Sequence, residues 1–142
     1  MEFEAVHDFS CTPLELLDVL DDPVLETRLA DAAGMTRTVV ELREADGLRH
    51  KRVRCAPRRE IPGFVRKLLG GRGIDYDEVN RTEVAPATVH WRIEPSVLAE
   101  RIHISGRTDT VATPTGCRRT MRGDVRIEAR VVGSRIEKLI VS

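Results

Sequence analysis

Apolar and polar positions along this chain switch between two periods, and the switches divide it into elements. EFEAVHDF alternates and reads as an opening strand. SCTPLELLDVL changes to helical spacing. Thr12 stands as N-cap, Pro13 at the first helical position and Glu15 three residues after the cap, which together make a capping box. DDPVLETRLADAAG repeats the pattern, with Asp22 as cap, Pro23 opening and Gly34 stopping the helix. IPGFVRKLLGG predicts a third helix of about two turns, with Phe64, Val65, Leu68 and Leu69 on one side and Gly70-Gly71 as its stop.

The remaining segments alternate and pair as three hairpins. In TRTVVELREADGLRHKRVRCAP the turn is Asp46-Gly47, a type I′ signal. Pairing outward from it predicts an inner face of Thr38, Val40, Leu42, Val53 and Cys55, with Val40 opposite Val53 and Thr38 opposite Cys55. The outer face then pairs Glu41 with Arg52 and Arg43 with His50. The second hairpin, GIDYDEVNRTEVAPATVHWRIEP, breaks at Ala85-Pro86. Folded there, it sets Tyr76, Glu78, Asn80 and Thr82 on the same side as Val89, Trp91 and Ile93. In RIHISGRTDTVATPTGCRRTMRGDVRIEAR, Ala112 pairs with Cys117, Thr110 with Arg119, Thr108 with Met121 and Ile104 with Val125 on one face. His103, Arg107, Asp109, Arg118, Arg122, Asp124 and Arg126 take the other. VGSRIEKLIVS begins a last helix. A lone strand, two helices and consecutive hairpins predict an α+β fold, with one curved seven-stranded antiparallel sheet and its helices on the inner side.

Composition adds bounds. The 142 residues suit one domain, and 23 basic residues balance 23 acidic ones, so the footprint of a strongly basic nucleic-acid binder is missing. The N-terminus has no signal-peptide run, and no stretch reaches the roughly 20 apolar residues of a membrane span. The three cysteines, Cys11, Cys55 and Cys117, are far apart and lack metal spacing. They read as reduced thiols, and the expected setting is cytoplasmic, without integral membrane association.

This order resembles the START-like, or helix-grip, superfamily (SRPBCC proteins), which includes polyketide cyclases and aromatases and pathogenesis-related proteins of the Bet v 1 type. The first strand running into Ser10–Leu17 and the Gly133–Glu137 opening of the last helix are similar to that superfamily. IPGFVRKLLGG, HWRIEPSVLAERIHISG and PTGCRRTMRGDVRIEARVVGSRIEKLI resemble an uncharacterised, domain-of-unknown-function branch of it, found in bacteria. The resemblance implies a single START-like domain over 1–142, with a cavity between the sheet and a closing C-terminal helix. Here the chain stops at Ser142, about three turns after that helix begins, so a truncated helix or a less covered cavity is expected.

In such a fold the inner sheet face is a cavity wall, apolar with a few placed polar groups. The expected ligand-binding residues are Tyr76, Glu78, Asn80, Thr108 and Arg119 as polar groups, Trp91 and Met121 as apolar wall, and Phe64 and Leu68 as a lid. Thr82 and Thr110 share that face. Two alternatives stand beside this. A bulge in the second hairpin would turn Glu78 and Asn80 outward. A structural ion pair, Glu78 with Arg119 or with Lys51, would fill the same place.

Other chemistries are weaker. His7, His50, His90 and His103 lie on separate strands, which speaks against a metal site, and no cofactor is expected. Cys55 and Cys117 face inward without a histidine base. Gly70–Gly73 lacks the Gly-Lys-Ser/Thr ending of a phosphate loop and precedes a strand. Arg107, Arg118, Arg122 and Arg126 form a basic outer patch without the aromatic platform of RNA binders. Three functions follow in order: binding or transport of a hydrophobic small molecule such as a lipid, isoprenoid or polyketide; a cyclase or aromatase using Glu78 or Tyr76 as acid/base; and a protein-interaction module. An open cavity mouth would favour a homodimer.

Overall fold

The computed structural model describes residues 1–58, 62–68, 75–128 and 141. In chain order the elements are β1 (Glu2–Phe9), α1 (Pro13–Leu20), α2 (Pro23–Ala33), β2 (Met35–Ala45), β3 (Leu48–Pro57), α3 (Gly63–Leu68), β4 (Tyr76–Glu83), β5 (Thr88–Pro95), β6 (Ile102–Thr113) and β7 (Gly116–Ile127). The strands form one seven-stranded antiparallel sheet in the order β1-β7-β6-β5-β4-β3-β2. The three hairpins are therefore neighbours in space, and β1 joins β7 at one edge. The helix expected from residue 133, and the Gly70–Gly73 stop, lie outside the described residues.

Local chemistry explains the helices. Thr12 Oγ1 accepts from the Glu15 backbone N–H at 3.2 Å and donates to Glu15 Oε1 at 2.9 Å, closing the expected capping box. Asp22 Oδ1 accepts from Val24 N–H at 2.8 Å. Gly34 ends α2 at φ 63°, a left-handed conformation that glycine adopts without a Cβ penalty. Leu16, Leu17 and Ala30 are the apolar residues that these two helices bury. They belong to one core with Val53, Cys55, Cys117, Val125 and Ile127 of the sheet.

The second and third hairpins have the expected registers. Glu78 faces Ile93, Asn80 faces Trp91 and Thr82 faces Val89. Thr108 faces Met121 and Thr110 faces Arg119. The first hairpin differs. From the turn outward, Leu42 pairs with Lys51 and Glu41 with Arg52, but the register then shifts so that Val39 faces Val53 and Arg37 faces Cys55. Val40 is the extra residue of a β-bulge, and β2 has 11 residues where β3 has 10. Thr38 and Val40 are consequently not inner-face residues. Because the side-chain period is two, one inserted residue exchanges the faces beyond it, and Arg37 turns inward.

The strands β5, β6, β7 and β1 run side by side. Trp91 pairs with Gly106, Gly106 with Gly123, and Gly123 with Phe3. A Cβ on Gly106 would overlap the Arg122 carbonyl oxygen and the Trp91 ring, and one on Gly123 would lie 2.7 Å from both Phe3 Cζ and Trp91 Cη2. The two glycines leave room for the Trp91 and Phe3 rings, whose centroids are 6.2 Å apart, to meet over the backbone.

Candidate functional site

Six of the expected residues, Glu78, Asn80, Trp91, Thr108, Arg119 and Met121, line one cavity of about 200 Å³, completed by Val89 and Ile93. A second cavity of about 200 Å³ adjoins it, sharing Glu78, Asn80, Val89 and Arg119 and extending to Leu17, Leu20 and Leu29 of the helices. The alternating strands aim these side chains inward, and α1 and α2 roof the second cavity.

Two other expected positions, Tyr76 and Phe64, are not part of these cavity walls. Tyr76 is half-buried at the start of β4, and its hydroxyl lies 3.8 Å from Met35 Sδ. It shares the inner face with the Arg37 guanidinium, which is bonded to Glu78 and close to Cys55, and is not among the residues that line the two cavities. Burial raises the Tyr76 pKa above the ordinary tyrosine value. Phe64 is exposed on the six-residue α3 and lies outside both cavity walls. The Leu68 side chain lies outside the described residues.

The helices supply an ion-pair network that no strand pattern reveals. Arg37 donates from Nε to Glu26 Oε2 at 2.7 Å and from Nη1 to Glu78 Oε2 at 3.0 Å. Lys51 Nζ donates to Glu26 Oε1 at 2.6 Å and to the Leu20 carbonyl oxygen at 3.0 Å, at the C-terminal end of α1. Arg49 reaches Asp18 at 2.8 Å and Asp21 at 3.4 Å. Burial alone would raise the Glu26 pKa, but hydrogen bonds from Arg37 and Lys51 outweigh it and hold the carboxyl below its usual range. Burial likewise works against the Arg37 charge, and Glu26 and Glu78 overcome it. Neither ion pair weighed from sequence forms: the partner of Glu78 is Arg37, and not Arg119 or Lys51. One signal pointed to Arg37: the adjacent Val39 and Val40 interrupt the alternation of their strand, as a bulge does.

Arg119 stands apart from this network. Half-buried between the two cavities, it forms no hydrogen bond or ion pair among the described residues. Burial lowers its pKa, and the Glu78 charge offsets only part of that. Trp91 Nε1 and Thr108 Oγ1, on the same wall, are buried without a hydrogen-bond partner among the described residues. Asn80 donates its amide to Glu78 Oε1 at 3.0 Å.

The cysteines and outer face offer less. Burial pushes the Cys55 thiol up to about 11 and raises that of Cys117, so both are protonated at neutral pH. Among the described residues no three His, Cys, Asp or Glu side chains group to hold a metal ion. The expected basic patch is neutralised: Arg118 pairs with Asp8, Arg122 with Glu4, Arg126 with Asp124 and Arg107 with Asp109. Among the described residues no helix is long and apolar enough to cross a membrane.

Residues 4–142 match the family described as "Protein of unknown function (DUF2505)". No curated protein matches the chain. Solved structures show the same fold at low identity. TTHA0849 from Thermus thermophilus aligns with a TM-score of 0.68 and 13% identity, over 99% of this chain and 84% of its own. The Zhui aromatase/cyclase from a Streptomyces species gives 0.61 and 16%, over 91% and 69%. CV1439 from Chromobacterium violaceum gives 0.57 and 10%, over 89% and 81%. The chain belongs to the DUF2505 family, and its architecture is helix-grip-like.

Proposed function

We propose that this member of the DUF2505 family binds a hydrophobic small molecule, of lipid, isoprenoid or polyketide-like class, in the paired cavities between its sheet and helices. The observation that carries the reading is convergence. Six side chains from four strands, distant in sequence, meet on one wall that mixes Trp91, Met121, Val89 and Ile93 with a few polar groups. Binding then comes from burial of apolar ligand surface, with Asn80 and Arg119 orienting a polar end. The likeness to an aromatase/cyclase fold supports a small-molecule cavity and also motivates the rival reading, catalysis at Glu78.

Carriage is favoured over catalysis because Glu78 is already bonded to Arg37 and Asn80, and burial moves Tyr76 away from proton transfer at neutral pH. The neutralised outer arginines weaken the case for a nucleic-acid or partner surface there. The proposal includes a cytoplasmic setting, for which the buried free thiols speak. It extends to a homodimer, for which exposed Val39, Val40 and Leu42 on edge strand β2 speak and which sedimentation would test.

The test is gentle purification from the native host followed by native mass spectrometry. The expected result is a stoichiometric apolar adduct that is lost in Trp91→Glu. A clean unliganded mass from wild type at high sensitivity overturns carriage. A variant Glu78→Gln that retains the adduct but blocks its conversion would establish the enzyme instead.

A further inference from the structure

Among the described residues, every charged residue of the second cavity except Arg119 has an opposite charge in contact. Its wall holds three carboxylates, Asp21, Glu26 and Glu78, against four cations, Arg37, Arg49, Lys51 and Arg119. Asp21, Glu26 and Glu78 are bonded to Arg37, Arg49 and Lys51. Arg119 is left as the surplus. A guanidinium stays charged at neutral pH, and taking such a charge from water without a partner is costly.

The neighbours of Arg119 point the same way. Thr108 is its diagonal neighbour across the β6–β7 pair, and Trp91 lies on the next strand. Indole and guanidinium nitrogens only donate hydrogen bonds, and a threonine hydroxyl donates as readily as it accepts. Two polar atoms without a partner among the described residues, Trp91 Nε1 and Thr108 Oγ1, thus share this wall with a positive charge, framed by Met121, Val89 and Ile93.

Resting on the cavity reading above, we infer that the ligand is an organic acid whose carboxylate pairs with Arg119, the one cation of this wall that has no opposite charge in contact among the described residues. Glu78 does not touch the ligand's charge. Its carboxylate is bonded to Arg37 and Asn80 and makes no ion pair with Arg119. Size limits the rest of the ligand. At about 30 Å³ per liquid water, each 200 Å³ cavity has room for roughly seven water-sized groups. An acid of roughly ten heavy atoms suits the two cavities on that scale.

The chain carries a reporter, since Trp91 is its single tryptophan. The experiment titrates the full chain with octanoate and with octanamide, which has the same chain and a neutral head, and follows Trp91 emission at neutral pH. Wild type is expected to bind octanoate tighter by roughly ten- to a hundredfold, the worth of a hydrogen-bonded charge. Arg119→Gln is expected to reduce that preference to within about twofold while octanamide still binds, and Arg119→Lys to restore part of it. Equal binding of the two probes to wild type, or a preference that survives in Arg119→Gln, overturns the organic-acid inference and leaves the cavity reading standing. Absence of binding by either probe up to millimolar concentration, checked by calorimetry, overturns both. The wild-type ratio decides the matter even if Arg119→Gln does not fold.

Discussion

Arg37 Nη1 lies 3.0 Å from Glu78 Oε2, joining edge strand β2 to the inner strand β4 on the face that lines the cavity. The contact exists because the bulge at Val40 turns Arg37 inward, and it is reinforced by Glu26 from α2. One guanidinium thereby ties a helix to two non-adjacent strands.

Removing that tie leaves two carboxylates short of a partner. Arg37→Met is expected to destabilise the fold by about 3 kcal/mol, as loss of one member of a buried pair does. The double variant Arg37→Met/Glu78→Gln should recover part of the loss, with a coupling of roughly 0.5–3 kcal/mol in urea unfolding. Additive single effects would mean that the pair is not energetically linked.

Glu26 makes stability depend on acid. Its folded pKa lies below the ordinary value of 4.5. Its contribution is therefore fully present above that value and is lost as pH falls through the folded pKa. Glu26→Gln should cost most at pH 7, and its difference from wild type should shrink progressively below about pH 4.5. A constant difference from pH 7 to pH 3 in denaturant titrations would contradict this.

The lone Arg119 predicts a trade between stability and binding. Arg119→Met removes a partly desolvated charge that has no ion pair among the described residues, and is expected to raise the unliganded Tm by roughly 2–4 °C for each kcal/mol of relieved cost. A lower Tm in differential scanning calorimetry would show that Arg119 has a structural partner after all.

The glycine pair under the aromatics should respond unequally. A Cβ at Gly106 meets the Arg122 backbone, whereas one at Gly123 meets only the far ends of the Phe3 and Trp91 rings. Gly106→Ala is expected to cost about 2–3 kcal/mol and Gly123→Ala less, because rings move more readily than backbone. Both should shift Trp91 emission, and equal costs would contradict the asymmetry.

Much of this protein was legible in its pattern. Capping residues at Thr12 and Asp22, the stop at Gly34 and the Asp46-Gly47 turn act within a few residues, so they read correctly without a fold. The second and third hairpins could be registered from their turns, and this put Glu78, Asn80, Trp91, Thr108, Arg119 and Met121 on one face. What sequence alone determined was therefore local: periods, caps, turns and the faces they imply.

The tertiary structure decided which inward charges meet. An inserted residue in β2 is a choice between two faces, settled by what each face finds when helices and sheet close together. Glu26 is buried on α2 and offers a carboxylate to whatever stands opposite, and a bulge that brings in Arg37 satisfies both Glu26 and Glu78. Pairing energies of that kind belong to side chains far apart in sequence, and they left Arg119 as the one cavity cation in neither a hydrogen bond nor an ion pair among the described residues.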